Sequence, residues 1–171
     1  GQIQEALDTA GALIKDYPNE AILYNISGAC YASLGQLDTA VKRYEKALDI
    51  KPDYADAHNN LAITFQELGQ LDAAVKCYDQ ALAIKPDYAE AFNNLGIVLK
   101  ELGQLDTAVN SYEKILAIKP DFAEAHFNLG LTLQELGQLD DAVKSYEQTL
   151  AIKPDYAEAF NNLGITLKDL G

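Results

Sequence analysis

The sequence predicts an all-α stack of antiparallel helix pairs, about ten helices in all. Three observations carry that expectation. The run Gly-Gln-Leu-Asp returns at 35–38, 69–72, 103–106 and 137–140, always 34 residues apart, with Gly1 and Gly171 in the same phase. Each period holds two apolar runs at the three-and-four spacing of a helix face. A glycine closes the first run and a proline the second, residues that stop a helix by conformation and by a missing N–H. A chain that restates one unit in this way builds neighbours rather than one centre, so its chemistry is expected in a surface the units share.

The elements follow in order. Residues 1–20 read as the second half of a truncated repeat, with one helix over about 2–17. Full repeats are expected at 21–54, 55–88, 89–122 and 123–156, and the first helix of another truncated repeat at 157–171, all in one array. In 55–88, Ala57, Leu61, Ala62, Phe65 and Leu68 form one face before Gly69. Leu71, Ala74, Val75, Tyr78, Ala81, Leu82 and Ile84 form the next before Pro86. Asp53-Tyr54-Ala55-Asp56 reads as a capping-box variant, repeated as Asp87-Tyr88-Ala89-Glu90, Asp121-Phe122-Ala123-Glu124 and Asp155-Tyr156-Ala157-Glu158. A helix of roughly 14 residues, about 20 Å long, is marginal alone, so packing must stabilise it. Gly28, Ala62, Gly96, Gly130 and Gly164 share one phase, and Tyr44, Tyr78, Tyr112 and Tyr146 share another. Large rings are therefore expected against small residues. The chain looks cut from a longer array, so both ends are expected to expose apolar surface.

Composition narrows the function. Hydrophobic residues at 49% with five prolines exclude a disordered segment. A net charge of −13 works against nucleic acid and anionic membranes, so no nucleic-acid or membrane partner is expected. A neutral to basic protein or peptide fits that field. Cys30 and Cys77 form no metal or redox motif and read as small buried apolar side chains. With no targeting or membrane stretch, they suggest a cytoplasmic protein. Catalytic residues, metal ligands and cofactors are not expected: His58 and His126 stand two repeats apart, about 20 Å, and no glycine sits in a phosphate-binding context.

The period, Leu95-Gly96 and Leu129-Gly130 in first helices, Ala108 with Tyr112 and Ala142 with Tyr146 in second helices, and the closing Pro120 and Pro154 resemble the tetratricopeptide repeat. The resemblance covers the whole chain. It departs at Ser27, Ala10, Ile115 and Thr149, where packing around the last two is expected to be looser or shifted. It implies a right-handed superhelical solenoid whose first helices line a concave groove. It also implies no basic clamp for C-terminal carboxylates, since Asn25, Asn59 and Asn93, Ile63 and Ile97, and acids stand at the clamp phases.

Asn60, Asn94, Asn128 and Asn162 share one phase, beside Asn59, Asn93 and Asn161. Mid-helix amides are poor helix formers, so their recurrence asks for a role. Either each braces its neighbour repeat, or together they form a ladder that pairs with a peptide backbone. A repeat advances about 10 Å, which an extended peptide spans in about three residues. The resemblance favours the ladder, because similar asparagines line the tetratricopeptide arrays joined to O-linked N-acetylglucosamine transferases and grip substrate backbones. Ile26 ends the ladder in the first full copy. Gln66, Lys100, Gln134 and Lys168, with the acids Glu90 and Glu124, are expected on or near the same face. The expected function is a non-catalytic scaffold for an extended peptide. The alternatives are a module stacking end to end through its open ends, and the substrate-recruiting arm of a larger transferase.

Overall fold

The computed structural model describes residues 1–171. Ten α-helices make up the regular structure: α1 (Gln2–Asp16), α2 (Ala21–Ser33), α3 (Leu37–Ile50), α4 (Ala55–Glu67), α5 (Leu71–Ile84), α6 (Ala89–Glu101), α7 (Leu105–Ile118), α8 (Ala123–Glu135), α9 (Leu139–Ile152) and α10 (Ala157–Leu170). Two compact units hold them, Gly1–Pro86 with α1–α5 and Asp87–Gly171 with α6–α10. Within each unit every helix packs on its sequence neighbours.

Inside a pair, the turn follows from one glycine. Gly35, Gly69, Gly103 and Gly137 take φ between 71° and 75°. Their N–H groups reach back to Ala32, Gln66, Lys100 and Gln134, while Gln36, Gln70, Gln104 and Gln138 reach Tyr31, Phe65, Leu99 and Leu133. This double bond pattern is the Schellman motif, which satisfies the last carbonyls and turns the chain into the second helix.

Between pairs the expected capping box does not form. α4, α6, α8 and α10 begin one residue later than the aspartate requires, and Tyr54, Tyr88, Phe122 and Tyr156 take the N-cap position with no side-chain cap. The Lys-Pro-Asp turn occupies the residues before it, and the aromatic contributes its carbonyl, which in Tyr54 accepts from the Ala57 and His58 N–H groups. The ring is covered instead: the Nζ of Lys51, Lys119 and Lys153 lie 5.2, 4.9 and 4.9 Å from the ring centres of Tyr54, Phe122 and Tyr156.

The core is a set of ring-on-small contacts. A Cβ added at Gly28, Gly96 or Gly130 would come within 2.6, 2.6 or 2.7 Å of the Tyr44, Tyr112 or Tyr146 ring. The missing Cβ is what lets the ring approach so closely at these three positions. Ile115 and Thr149 are fully buried, Ile115 beside Ala89 and Ala125. The Thr149 hydroxyl donates to the Ser145 carbonyl at 2.9 Å, which removes the cost of burying it. Cys30 and Cys77 are free and half-buried rather than enclosed. Burial, followed by the charge of Glu45, pushes the Cys77 thiol up to about 11, so it is a poor nucleophile.

Candidate functional site

First helices lie side by side within each unit, and their amides meet. In the first unit Asn60 Nδ2 of α4 donates to Asn25 Oδ1 of α2 at 3.1 Å, and Asn25 Nδ2 donates to the Tyr54 hydroxyl at 3.5 Å. In the second, Asn128 Nδ2 of α8 donates to Asn93 Oδ1 of α6 at 3.0 Å. Both amide pairs join residues 35 apart, one repeat plus one residue. α10 breaks the pattern because Phe127 stands where an asparagine would accept. Its ring stacks on Tyr156 at 4.9 Å, and Asn162 Nδ2 turns back to the Glu158 carbonyl at 2.8 Å. Asn25, Asn60, Asn93 and Asn128 therefore brace neighbouring helices. Each pair spends one N–H and one lone pair, and the remaining amide groups keep donors and acceptors to offer. Asn60, Asn93, Asn94, Asn128 and Asn162 are half-buried, Asn161 is exposed, and Asn59 is 6% exposed.

Flanking side chains are tied as well. Tyr146 of α9 donates its hydroxyl to Gln134 Oε1 at 2.8 Å, which leaves the Gln134 NH2 as the part of that amide still able to donate. Lys100 Nζ of α6 meets Glu135 Oε2 of α8 at 2.9 Å. Both ends of this ion pair stay partly in solvent, so it contributes at most about 1 kcal/mol. Lys168, Glu90 and Glu124 are exposed, and Gln66 is half-buried. Beneath the amides, Thr64, Thr132 and Thr166 donate to the Asn60, Asn128 and Asn162 carbonyls at 2.9, 2.8 and 2.8 Å. The tyrosine layer stays neutral: burial pushes the Tyr44 and Tyr146 phenols up to about 12. Tyr112 is raised further, again mainly by burial.

A TPR repeat family profile matches residues 28–69, 64–103, 98–137 and 133–171. The chain belongs to the TPR repeat family. Among solved structures it is similar to MamA, with 27% identity, 92% of both chains covered and a TM-score of 0.85. It is also similar to YrrB, described as a TPR protein with an unusual peptide-binding site, with 25% identity, 92% of this chain and 81% of that chain covered and a TM-score of 0.80. MamA from residue 41 onward, from Desulfovibrio magneticus RS-1, shares the fold at 22% identity, with 86% and 83% covered and a TM-score of 0.80. No curated protein matches the sequence.

Three features of this TPR chain escape a reading of its sequence. Asn25 is half of an amide pair, although it shares the phase of Asn59 and Asn93, which was the available signal. Gln134 is set by a tyrosine that periodicity assigns only to packing. His58 and His126 each place Nε2 2.9 Å from the carbonyl oxygen of Pro52 and Pro120. A carbonyl only accepts, so Nε2 carries the proton there. Tyr24, in the same phase, donates to the Pro18 carbonyl at 3.1 Å. These are latches that hold the inter-repeat turn against the helix that follows it. No helix is long and apolar enough to cross a membrane.

Proposed function

We propose that this TPR chain is a non-catalytic protein–protein interaction scaffold whose first-helix amide faces hold an extended peptide of neutral to basic character. One observation carries the reading: the amide pairs Asn25–Asn60 and Asn93–Asn128 fix the side chains in place yet leave part of their hydrogen-bonding capacity unspent. Fixed amides lose little entropy when a ligand binds, which favours capture of a backbone over capture of any one side chain. The likeness to YrrB, a TPR protein with a peptide-binding site, points the same way. Charge sets the polarity of the ligand, since −13 repels acidic segments and attracts basic ones. In the second unit Asn93, Asn94, Asn128 and Asn162 would hold the backbone, with Gln134, Lys100 and Lys168 beside them and Glu90 and Glu124 meeting cationic side chains. In the first, Asn60 with Gln66 would play the same part, whereas Asn59, 6% exposed with its Oδ1 buried, is closed to a ligand.

An array of extended peptides graded from acidic to basic tests this. Capture should rise from acidic to basic, and the Asn94→Ala, Asn128→Ala double variant should lose about tenfold in affinity, about 1.4 kcal/mol or one to two net hydrogen bonds. The double variant must keep its thermal transition. Equal capture of acidic peptides, or an affinity unchanged by the double substitution, would overturn the proposal.

A further inference from the structure

One row of first-helix positions reads Asn25, Asn59, Asn93, Phe127 and Asn161. In the first unit Asn25 spends its amide at both ends, accepting from Asn60 at 3.1 Å and donating to the Tyr54 hydroxyl at 3.5 Å. In the second unit Asn93 accepts from Asn128 at 3.0 Å, but Phe122 holds the phase of Tyr54 and offers no hydroxyl. One repeat further the amide gives way to a ring: Phe127 stacks on Tyr156 with centres 4.9 Å apart and planes at 28°. Phe127 also packs on Leu133 and Tyr146, yet it stays half-buried. Lysine Nζ groups lie 4.9–5.7 Å from the ring centres of Tyr54, Phe92, Phe122 and Tyr156, whereas no cation of the chain covers Phe127.

Carboxylates stand beside this ring pair. Glu124 precedes Phe127 by three residues on α8 and so shares its face. Burial first, and then the charges of Glu124 and Glu158, pushes the Tyr156 phenol up, which places both carboxylates within electrostatic reach of the rings. Both glutamates are exposed.

We propose that Phe127 is a specificity residue: its ring, with Glu124 and Glu158, receives an arginine side chain of the peptide, about three residues from the stretch held by Asn93 and Asn128. The inference rests on the peptide-binding reading and adds which side chain is read and in which register. A guanidinium suits the place because its flat face stacks on a ring while its N–H fork donates to carboxylates; an ammonium is a compact point charge without that face. The spacing follows from a repeat of about 10 Å and an extended backbone of about 3.3 Å per residue. The net charge of −13 draws such a cation in, whereas an apolar side chain gains nothing from the carboxylates.

Calorimetric titration of the full chain tests this, with the tightest-binding peptide of the acidic-to-basic array carrying arginine, lysine or leucine at each position in turn. One position should favour arginine over lysine by about fivefold, and the others by less than about twofold. Phe127→Leu, which keeps an apolar side chain in the core cluster, and Glu124→Gln, on the exposed surface, should each bring that preference below about twofold. Three results would overturn the inference while backbone capture stands: no position that prefers arginine, leucine binding there as tightly as arginine, or a preference that survives either variant. Failure to capture any basic peptide would overturn the peptide-binding reading and this inference with it.

Discussion

Glycine and tyrosine make the contact on which packing turns. Gly130 leaves no room for a Cβ beneath the Tyr146 ring, whereas Gly164, one repeat later, faces open space. Ala62, in the same phase and fully buried, shows that a repeat can hold the methyl there. Gly130→Ala should therefore cost about 1 kcal/mol net, overpacking outweighing the helix propensity gained, while Gly164→Ala should stabilise by about 0.5–1 kcal/mol. Urea unfolding of the two variants checks the pair, and equal effects would contradict it. The phenols give a pH prediction. Tyr44 and Tyr146 ionise near 10 when unfolded and near 12 when folded. Their neutral form is favoured by folding, so this contribution is whole below pH 10 and is lost as pH rises towards 12. The melting temperature should fall across that window, and Tyr146→Phe should weaken the fall. A fall of the same size in Tyr146→Phe would contradict a buried Tyr146 ring.

Turns decide where elements start and stop, and they were the part of the fold most and least legible in the sequence. The Schellman turns were readable because one residue, glycine at positive φ, does the work; Gly103→Ala forces φ of 72° on a side chain and should cost about 1–2 kcal/mol. Chemical unfolding measures it, and a neutral result would contradict the turn. The Lys-Pro-Asp-aromatic turn was misread because an aspartate next to a helix start looks like a cap. The structure spends the aromatic carbonyl there and covers the ring with lysine. The histidine latch was invisible for a related reason: Phe92 and Phe160 share its phase, so periodicity alone marks the position as apolar. His126→Phe should cost no more than about 1 kcal/mol, the net worth of one hydrogen bond. The period gave which asparagines recur, but the partners of Asn60 and Asn128 lie 35 residues away on another helix. That offset depends on how first helices sit side by side, which no single repeat encodes.

For the molecule as a whole, the repeat supplies recurring amides in a strongly acidic chain, and the proposed function follows from the pairing of the two. Basic peptides should associate faster at low salt and slow as ionic strength rises, while dissociation, governed by the amides, changes little. Stopped-flow binding at two ionic strengths separates these contributions. The central claim is that the amides themselves meet the ligand. Its most direct measurement follows the side-chain NH2 resonances of Asn60, Asn94, Asn128 and Asn162 by NMR as a captured basic peptide is added, with exposed Asn110 of α7 as the control. The account predicts that the four first-helix amides shift in step with saturation and Asn110 does not. Peptide binding with those four unmoved would contradict it.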